Sequence, residues 1–594
     1  MENPVIQRLS DLRQMMKREQ IAACIVPSAD PHLSEYIPDY WKVREWISGF
    51  TGSAGTVVVT DSKAGLWTDS RYFLQAGGEL FGSSIRLFKQ GLPETPSMTD
   101  WLLSELQPDD RVGLDGNIFP LAEKERIASA LNKKGITVHA EFDPFAETWL
   151  NRPELSNDPI VDYPEKYAGQ STGEKVTEIK AKLAEVDANC ILLTALDEIA
   201  WTFNLRGSDI YANPVALMFG FISDKEIRIF VAPEKLTDET VTYLSLQNIQ
   251  TSDYSDIKEY LSQLNADTRI LIDKNKVNAA LFDAIPTGCT PIFESSPVAL
   301  LKSVKNPTEI TGIRNALVKD GVALVRFFRW LEATLGKEKI TEMDIASRLV
   351  DFRSLQDLYV GESFATIAGY GEHGAIVHYS ANEETNAEIK PAGYLLVDSG
   401  AQYFDGTTDI TRTIALSELT PQQKKDFTLV LKGHIAIATC KFPQGTRGAQ
   451  LDVLARKALW DNGLHYLHGT GHGIGCFLSV HEGPQNIRME ENPTKLLPGM
   501  ILSNEPGVYR TGEYGIRCEN LVLVVEAEET EFCKFYAFET LTLFPFDLNA
   551  IDKSLLTANE IEWINNYHKT VYTRLSSFLS DDEKDWLKEK TKPL

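Results

Sequence analysis

The chain has 594 residues, more than one hydrophobic core can organise, so the usual domain size predicts about three domains. Hydrophobic residues make up 43% of it and charged residues 24%, which is typical of a soluble globular protein. The formal net charge of −25 argues against a nucleic-acid partner, because the phosphate backbone carries the same sign of charge.

The first predicted element is an amphipathic helix, whose apolar residues recur at helical spacing: Val5, Leu9, Leu12 and Met16. This segment has no uninterrupted apolar core, so we do not expect a signal peptide. The longest uncharged apolar stretch, 212–222, is much shorter than a bilayer span, and no membrane partner is expected. Seven cysteines without a CxxC pair favour a reducing compartment, so we expect a cytoplasmic protein.

Two proline-containing stretches, 151–167 and 295–310, predict junctions between domains. In the segments before and after the first junction, 57–73 and 217–231 both predict a strand, a turn and a second strand. This shared rhythm indicates a duplicated α/β architecture. We therefore expect three domains, over 1–155, 156–300 and 301–594.

The third segment has a different pattern, in which runs of helices are grouped before runs of strands, and this indicates α+β. The predicted helices cover 309–335, 421–440 and 448–460, and the predicted strands cover 394–403, 409–416, 500–509 and 515–525. The sequence TANE at 557–560 is a capping box and predicts the start of a further helix.

Residue types that bind metals gather in this third segment. Six histidines lie in or beside glycine-rich turns: His373, His378, His465, His468, His472 and His481. Four carboxylates lie in sequence that predicts buried strands: Asp398, Asp409, Glu505 and Glu519. Buried carboxylates need compensating charge, and two divalent cations would neutralise all four. The pattern therefore favours a site for two metal ions over a site for one.

Strand geometry narrows the ligand set. Side chains alternate between faces, so Arg517 and Glu519 point one way while Cys518 points to the core. The remaining set is rich in oxygen with one imidazole, from His472, which suits Mn²⁺ better than a thiolate zinc site; Zn²⁺ and Co²⁺ are alternatives. Each aspartate taken alone could instead be a turn residue, and each histidine a structural one. That explanation is weaker than a metal site, because it must hold independently for every residue.

The motifs around these residues resemble the pita-bread metallopeptidases, which include methionine aminopeptidase, prolidase and aminopeptidase P. The quoted motifs are DSGAQYFDGTTDITRT, HGTGHGIG, NEPGVY and GIRCEN. The ordered ligand pattern of that family, Asp, Asp, His, Glu, Glu, falls on Asp398, Asp409, His472, Glu505 and Glu519. The sequence closely resembles the long, three-domain cytosolic type of aminopeptidase P, and the likeness extends to 45–76, 196–215 and 539–557.

This resemblance implies a fold and a role for each site residue. The implied fold has two N-terminal α/β creatinase-like domains, then a C-terminal pita-bread catalytic domain that ends in a helical extension over about 540–594. By resemblance, Asp409 and Glu519 bridge two metals, Asp398 completes one, and His472 with Glu505 completes the other. The implied catalytic residues are Glu505 as general base, His481 as donor to the oxyanion, His378 and His468 in the substrate pocket, and Arg517, which orients Asp398.

The implied reaction is hydrolysis of the N-terminal Xaa-Pro bond by a hydroxide that bridges the two metals. The expected partners are small unstructured peptides with proline second, together with a second copy of the chain in a homodimer. Phe364 is expected to contribute to the proline pocket, while His373 and His465 are expected to be structural. Two alternatives stay open: a prolidase-type dipeptidase, and a non-catalytic peptide-binding scaffold of the same fold.

Overall fold

The computed structural model describes residues 3–594, which form two compact units. The N-terminal unit comprises the described residues up to Glu165 together with Gln170–Val298. The C-terminal unit comprises Lys166–Gly169 and Ala299–Leu594. All the predicted metal ligands and catalytic side chains lie in the C-terminal unit.

Two six-stranded sheets form the centre of the N-terminal unit in the described residues. The strands of the first are β1 (Ala23–Pro27), β2 (Thr56–Thr60), β3 (Ala64–Thr68), β4 (Arg86–Lys89), β5 (Arg111–Gly113) and β6 (Thr137–His139). Its helices are α1 (Pro4–Arg18), α2 (Val43–Ser48), α3 (Phe73–Glu79), α4 (Met98–Glu105), α5 (Leu121–Asn132) and α6 (Phe145–Thr148). In α1, Val5, Leu9, Leu12 and Met16 are all buried, as the helical spacing predicts.

The second sheet belongs to the remainder of this unit. Its six strands are β8 (Cys190–Leu193), β10 (Met218–Ser223), β11 (Ile227–Val231), β12 (Ile249–Ser252), β13 (Arg269–Ile272) and β14 (Thr290–Phe293), while β7 (Val161–Asp162) pairs with β9 (Leu205–Arg206). The helices are α8 (Thr172–Glu185), α9 (Leu196–Thr202), α10 (Asp238–Leu246), α11 (Ile257–Ser262) and α12 (Ala279–Asp283), with α7 (Glu165–Ala168) and α13 (Pro297–Ser303) at the boundaries of the unit.

The two sheets have the same topology. The first has the order β4-β3-β2-β1-β5-β6 and the second β12-β11-β10-β8-β13-β14. In the first sheet β1–β2 and β2–β3 are antiparallel pairs, and β3–β4, β1–β5 and β5–β6 are parallel pairs. The second sheet repeats this pattern, with β8–β10 and β10–β11 antiparallel and β11–β12, β8–β13 and β13–β14 parallel. The duplicated architecture expected from the sequence is therefore confirmed.

The C-terminal unit combines long helices with curved, mostly antiparallel sheets. Its helices are α14 (Pro307–Thr334), α15 (Glu342–Ser354), α16 (Pro421–Ala438), α17 (Gly448–Trp460), α18 (Ala558–Leu575) and α19 (Asp581–Lys590). Its strands are β15 (Tyr359–Glu362), β16 (Ile367–Tyr370), β17 (Tyr394–Ser399), β18 (Ala401–Tyr403), β19 (Gly406–Thr407), β20 (Ile410–Ala415), β21 (Lys441–Pro443), β22 (Gly471–Gly473), β23 (Glu482–Ile487), β24 (Ile501–Asn504), β25 (Gly507–Arg510), β26 (Tyr514–Arg517), β27 (Asn520–Glu529) and β28 (Lys534–Thr540).

Three strands that the sequence predicts as continuous are interrupted. The predicted strand 394–403 divides at Gly400, 500–509 divides after Asn504, and 515–525 divides after Arg517. The last two breaks contain Glu505 and Glu519, so these two carboxylates lie between strands and not within them. At both breaks the backbone stays bonded, because the amide of Glu505 donates to the Thr470 carbonyl at 2.8 Å and that of Glu519 donates to the Thr411 carbonyl at 3.2 Å.

The core of the C-terminal unit packs its helices against these sheets. A large apolar cluster joins residues of α14, α16 and α18 to strands β17 and β26. The capping box predicted at the start of α18 is present, with Thr557 and Glu560 as its two members. Cys518 is buried in the same cluster, as the alternation of side chains predicts.

Candidate metal centre and active site

The five predicted ligands converge from separate elements of the C-terminal unit. Asp398 is near the end of β17, Asp409 precedes β20, and His472 is the middle residue of β22. Ligand atoms of Asp409, His472 and Glu519 all lie within 4.8 Å of one another. His472 Nε2 is 3.5 Å from a carboxylate oxygen of Asp409 and 3.6 Å from one of Glu505.

The tautomer of His472 presents a lone pair to the carboxylates. Its Nδ1 donates a hydrogen bond to the carbonyl of Gly473 at 3.0 Å, so in the neutral ring Nε2 is the unprotonated nitrogen. The flanking glycines leave no room for a side chain. A Cβ on Gly471 would lie 2.0 Å from the carbonyl oxygen of Ser503, and one on Gly473 would lie 2.3 Å from the Gln485 amide.

The carboxylates repel one another strongly in this setting. Burial raises the pKa of Asp409 well above its usual range, and the negative charges of Glu519, Asp398 and Glu505 add to the effect. Burial also raises the pKa of Glu519 well above its usual range and that of Glu505 to about 7. Such clustering of titratable groups with raised pKa values is typical of functional sites.

These residues fit a site for divalent cations. Among the described residues, Asp398 Oδ1 is buried and accepts no hydrogen bond, so one carboxylate oxygen faces the cluster without a protein partner. Four carboxylates and one imidazole form the oxygen-rich donor set that hard and borderline divalent ions prefer. Burial, and after it mutual repulsion, raises the pKa values of Asp409 and Glu519, and bound cations would offset both effects.

Arg517 connects three groups at the edge of this cluster. Its Nη2 donates to Asp398 Oδ2 at 2.6 Å, and its Nε donates to Thr411 Oγ1 at 3.1 Å. The Thr411 hydroxyl in turn donates to Glu519 Oε2 at 2.7 Å. One guanidinium therefore orients two of the five predicted ligands, one directly and one through a hydroxyl.

Tyr509 extends this network to His468, and sequence analysis did not identify it. Arg517 Nη1 donates to the Tyr509 hydroxyl at 2.8 Å. His468 Nδ1 donates to the carbonyl of Gly469, so in the neutral ring Nε2 accepts from Tyr509 at 2.8 Å. Burial raises the pKa of Tyr509 to about 12, which keeps its hydroxyl protonated as a donor. The motif NEPGVY contained Tyr509, but nothing in its spacing indicated this contact.

The structure places the other predicted histidines in three different settings. The ring of His481 packs nearly perpendicular to that of His472, with 4.3 Å between the centroids, so His481 adjoins the ligand cluster. His378 is half-buried on the loop between β16 and β17, and its role stays a prediction. His373 contacts the buried Glu342 at 2.9 Å, and Trp460 donates to His465. These last contacts agree with the structural roles expected for the two histidines.

Phe364 was expected to contribute to a proline pocket. It is partly buried against the apolar cluster that contains Ile474, Cys476 and Val480. These residues belong to the glycine-rich segment that follows His472. Phe364 is therefore near the segment that carries a predicted ligand, and its contact with substrate stays a prediction.

Behind the ligand strands lies a buried polar network that the sequence did not predict. His434 of α16 donates from Nδ1 to the carbonyl of Asn504 at 3.0 Å, and Asn520 donates to its Nε2 at 3.2 Å. Asn504 and Asn520 directly precede and follow the ligands Glu505 and Glu519. Burial lowers the pKa of His434 to about 3, so the ring is neutral and fills a structural position.

Arg412 connects the same strands to the C-terminal extension. Its guanidinium donates to the carbonyls of Glu519 and Phe544, both at 2.5 Å, and to the Tyr567 hydroxyl at 3.0 Å. It also donates to the Pro545 carbonyl at 3.0 Å. The extension therefore supports the backbone of a predicted bridging ligand.

Comparisons with known families agree with this architecture. The pattern of metallopeptidase family M24 matches residues 311–526, and that of its C-terminal region matches residues 534–594. Creatinase/prolidase N-terminal domain patterns match residues 8–145 and 151–309. The chain belongs to metallopeptidase family M24, in the form that carries creatinase-type N-terminal domains.

Full-length relatives specify the branch of this family. The chain is 40% identical to the probable Xaa-Pro aminopeptidase P of Coprinopsis cinerea, over 99% of this chain and 98% of that one. It is 38% identical to aminopeptidase P2 of Arabidopsis thaliana, over 99% of this chain and 89% of that one. The family expected from the sequence, aminopeptidase P, is confirmed.

A solved structure matches along the whole chain. It is the X-prolyl aminopeptidase of Caenorhabditis elegans, described as a cytosolic enzyme with a dinuclear active site. The two are 36% identical with a TM-score of 0.96, over 99% of this chain and 100% of that one. The expected fold class, creatinase-like domains followed by a pita-bread domain, is confirmed. No helix in residues 3–594 has the length and apolar character that crossing a bilayer requires.

Proposed function

We propose that this protein is a metal-dependent Xaa-Pro aminopeptidase, which releases the first residue from peptides that have proline second. The observation that supports this function best is the convergence of Asp409, His472 and Glu519 within 4.8 Å, in a chain whose full-length relatives carry that activity in their names. A protein that only binds peptides would not need buried carboxylates this close together, because their mutual repulsion costs free energy unless cations compensate it.

Two divalent ions fit the centre, and Mn²⁺ is the metal that we propose, with Zn²⁺ and Co²⁺ as alternatives. Asp409 and Glu519 would bind both ions, Asp398 would complete one, and His472 with Glu505 would complete the other. Arg517 and Thr411 hold Asp398 and Glu519 in orientation, so the ligand shell is arranged before the ions arrive. The oxygen-rich set with a single imidazole supports this choice of metal.

When bound, divalent ions supply Lewis acidity that polarises the scissile carbonyl and makes a water molecule acidic. The chain's own residues do the rest. Glu505 accepts and returns the proton, because a carboxylate of the ligand set is within reach of the water. His481 donates to the carbonyl oxygen as negative charge develops on it. His378 and His468 contact the substrate, and the carboxylates attract its free α-amino group.

Proline specificity has a chemical reason. An Xaa-Pro bond has no N–H, so a peptidase that binds that hydrogen cannot process it. An apolar surface that includes Phe364 can recognise the ring instead. We also propose three domains over 1–155, 156–300 and 301–594, a homodimer, and a location in the cytoplasm.

The test compares hydrolysis of an Xaa-Pro-Xaa tripeptide with that of an Xaa-Pro dipeptide by protein loaded with Mn²⁺. We expect turnover of the tripeptide, with loss of activity in chelator and in Asp409→Asn, which removes one charge from the centre. Glu513→Gln, an exposed position on the β25–β26 hairpin, is the matched control and should keep full activity. Turnover confined to dipeptides would indicate a prolidase, and less than one metal ion per chain without activity would indicate a scaffold.

A further inference from the structure

A cluster of three buried charged side chains includes the residue that follows His481 in the chain. Glu482, the next residue, is almost completely buried, and so are Lys302 and Lys305, with each side chain 1% exposed. Lys302 Nζ is 2.8 Å from Glu482 Oε2, and Lys305 donates to Oε1 of the same carboxylate. Each oxygen of Glu482 is therefore bound by its own ammonium group.

Such an arrangement determines the position of the carboxylate closely. Buried ions are stable only when their partners are well placed, and hydrogen bonds between ions are shorter and stronger than neutral ones. Lys305 is itself held, because it also donates to the carbonyl of Lys302 at 2.8 Å. Lys302 is in the last turn of α13, and Lys305 directly precedes Asn306, the N-cap of α14. The carboxylate is thus attached to the start of a 28-residue helix.

The same carboxylate lies beside the predicted active site. Glu482 is the first residue of β23 and pairs in register with Gly473 of β22, the residue after His472. His481, one residue earlier, places its ring 4.3 Å from that of His472. His481 lies in the bend that directly precedes β23. Its ring contacts the ring of His472, whereas the next side chain, Glu482, contacts the two lysines.

We propose that Glu482, bound by Lys302 and Lys305, is a positioning residue for His481 in the reaction. It fixes the backbone from which the imidazole projects, and so fixes the distance between that imidazole and the substrate carbonyl. The inference rests on the proposed function, in which His481 donates to the developing oxyanion. A donor displaced by about 1 Å can lose about 10²-fold in rate, so the placement of His481 has a measurable effect on kcat.

A double-mutant cycle in kcat tests this role. Glu482→Gln keeps the shape of the side chain but leaves two buried ammonium groups without a carboxylate. We expect it to lower kcat by about 10- to 100-fold with little change in KM, because a transition-state contact is disturbed. In a His481→Gln background the same substitution should change kcat by less than about twofold, because the group it positions is already absent. Glu490→Gln, exposed on the same strand-to-loop segment, is the control and should leave kcat unchanged.

The readouts separate this role from general damage. Metal content and circular dichroism of Glu482→Gln should match those of wild type. An equal fall in kcat in both backgrounds would make Glu482 merely structural, and an unchanged kcat would also overturn the inference. If Glu482→Gln is insoluble, Lys302→Met replaces it, because the ion pair between Glu482 and Lys305 remains in that variant. Its fall in kcat must likewise disappear in the His481→Gln background. Wild type that cleaves no Xaa-Pro peptide would refute the proposed function and this inference together, whereas active wild type with a normal Glu482→Gln refutes the inference alone.

Discussion

Replacing Glu505 by glutamine should stabilise the metal-free protein at neutral pH while it removes activity. Burial raises the pKa of Glu505 from 4.5 to about 7, so folding disfavours its charged form. Below pH 4.5 the Glu505 carboxyl is protonated in both the folded and the unfolded protein, so its raised pKa does not lower the free energy of unfolding. The loss grows as pH rises from 4.5 to about 7 and is constant above that. Glutamine has no charge to bury, so the variant escapes the loss.

The magnitude follows from the shift. About 2.5 pKa units at about 1.36 kcal/mol per unit give about 3 kcal/mol of destabilisation above pH 7, and less than about 1 kcal/mol at pH 5. Urea denaturation in chelator at pH 5 and pH 8 measures the difference between wild type and Glu505→Gln. Glu513→Gln is the matched exposed control and should show no such pH dependence. A stability difference that is equal at both pH values, or a variant less stable than wild type at pH 8, would refute the reasoning. Added Mn²⁺ should reverse the order, because it binds wild type more tightly.

Three further predictions concern residues around the centre. Gly471→Ala should lower the melting temperature and the metal content, because its Cβ would lie 2.0 Å from the Ser503 carbonyl oxygen. Gly361→Ala is the control: its Cβ has no neighbour within 4 Å, so both measurements should match wild type. Tyr567→Phe should lower the free energy of unfolding by about 1–2 kcal/mol, because it removes a buried hydroxyl that donates to backbone carbonyls. An unchanged unfolding temperature in calorimetry would contradict this prediction. Tyr509→Phe should lower kcat for Xaa-Pro peptides with metal content unchanged, and a normal kcat would show that its contact with His468 does not serve the reaction.

The sequence was sufficient to predict which side chains converge, because a ligand set has a fixed chemistry and order. Asp398 and Asp409 stood out as carboxylates in apolar sequence, and His472 as an imidazole between glycines. It was also sufficient for the repeated sheets, since each repeat has its own strand–turn–strand pattern. The repeated sheets depend on residues close together in the chain, whereas the ligand set was recognised from the order of its motifs along the chain.

The supporting contacts could not be predicted in the same way. Arg412 donates to residues more than 100 positions away, and Lys305 binds a carboxylate 177 positions away. The sequence around an arginine in a strand, or around a lysine before a helix, does not indicate which distant residue the side chain contacts. The strand breaks at Glu505 and Glu519 were missed because the apolar residues on both sides of each break have the composition of strand. Pro506, directly after Glu505, is a local signal of the first break.

The position of Arg412 has a consequence for how the protein is made. Its acceptors at Phe544, Pro545 and Tyr567 are near the end of the chain, whereas the ligands Asp398 and Asp409 are translated well before them. In a nascent polypeptide without these residues, the Arg412 guanidinium lacks several of its hydrogen-bond acceptors. Ribosome-bound fragments that stop before Phe544 should therefore be inactive, and peptidase activity should begin only once the segment that contains Phe544, Pro545 and Tyr567 has folded against Arg412.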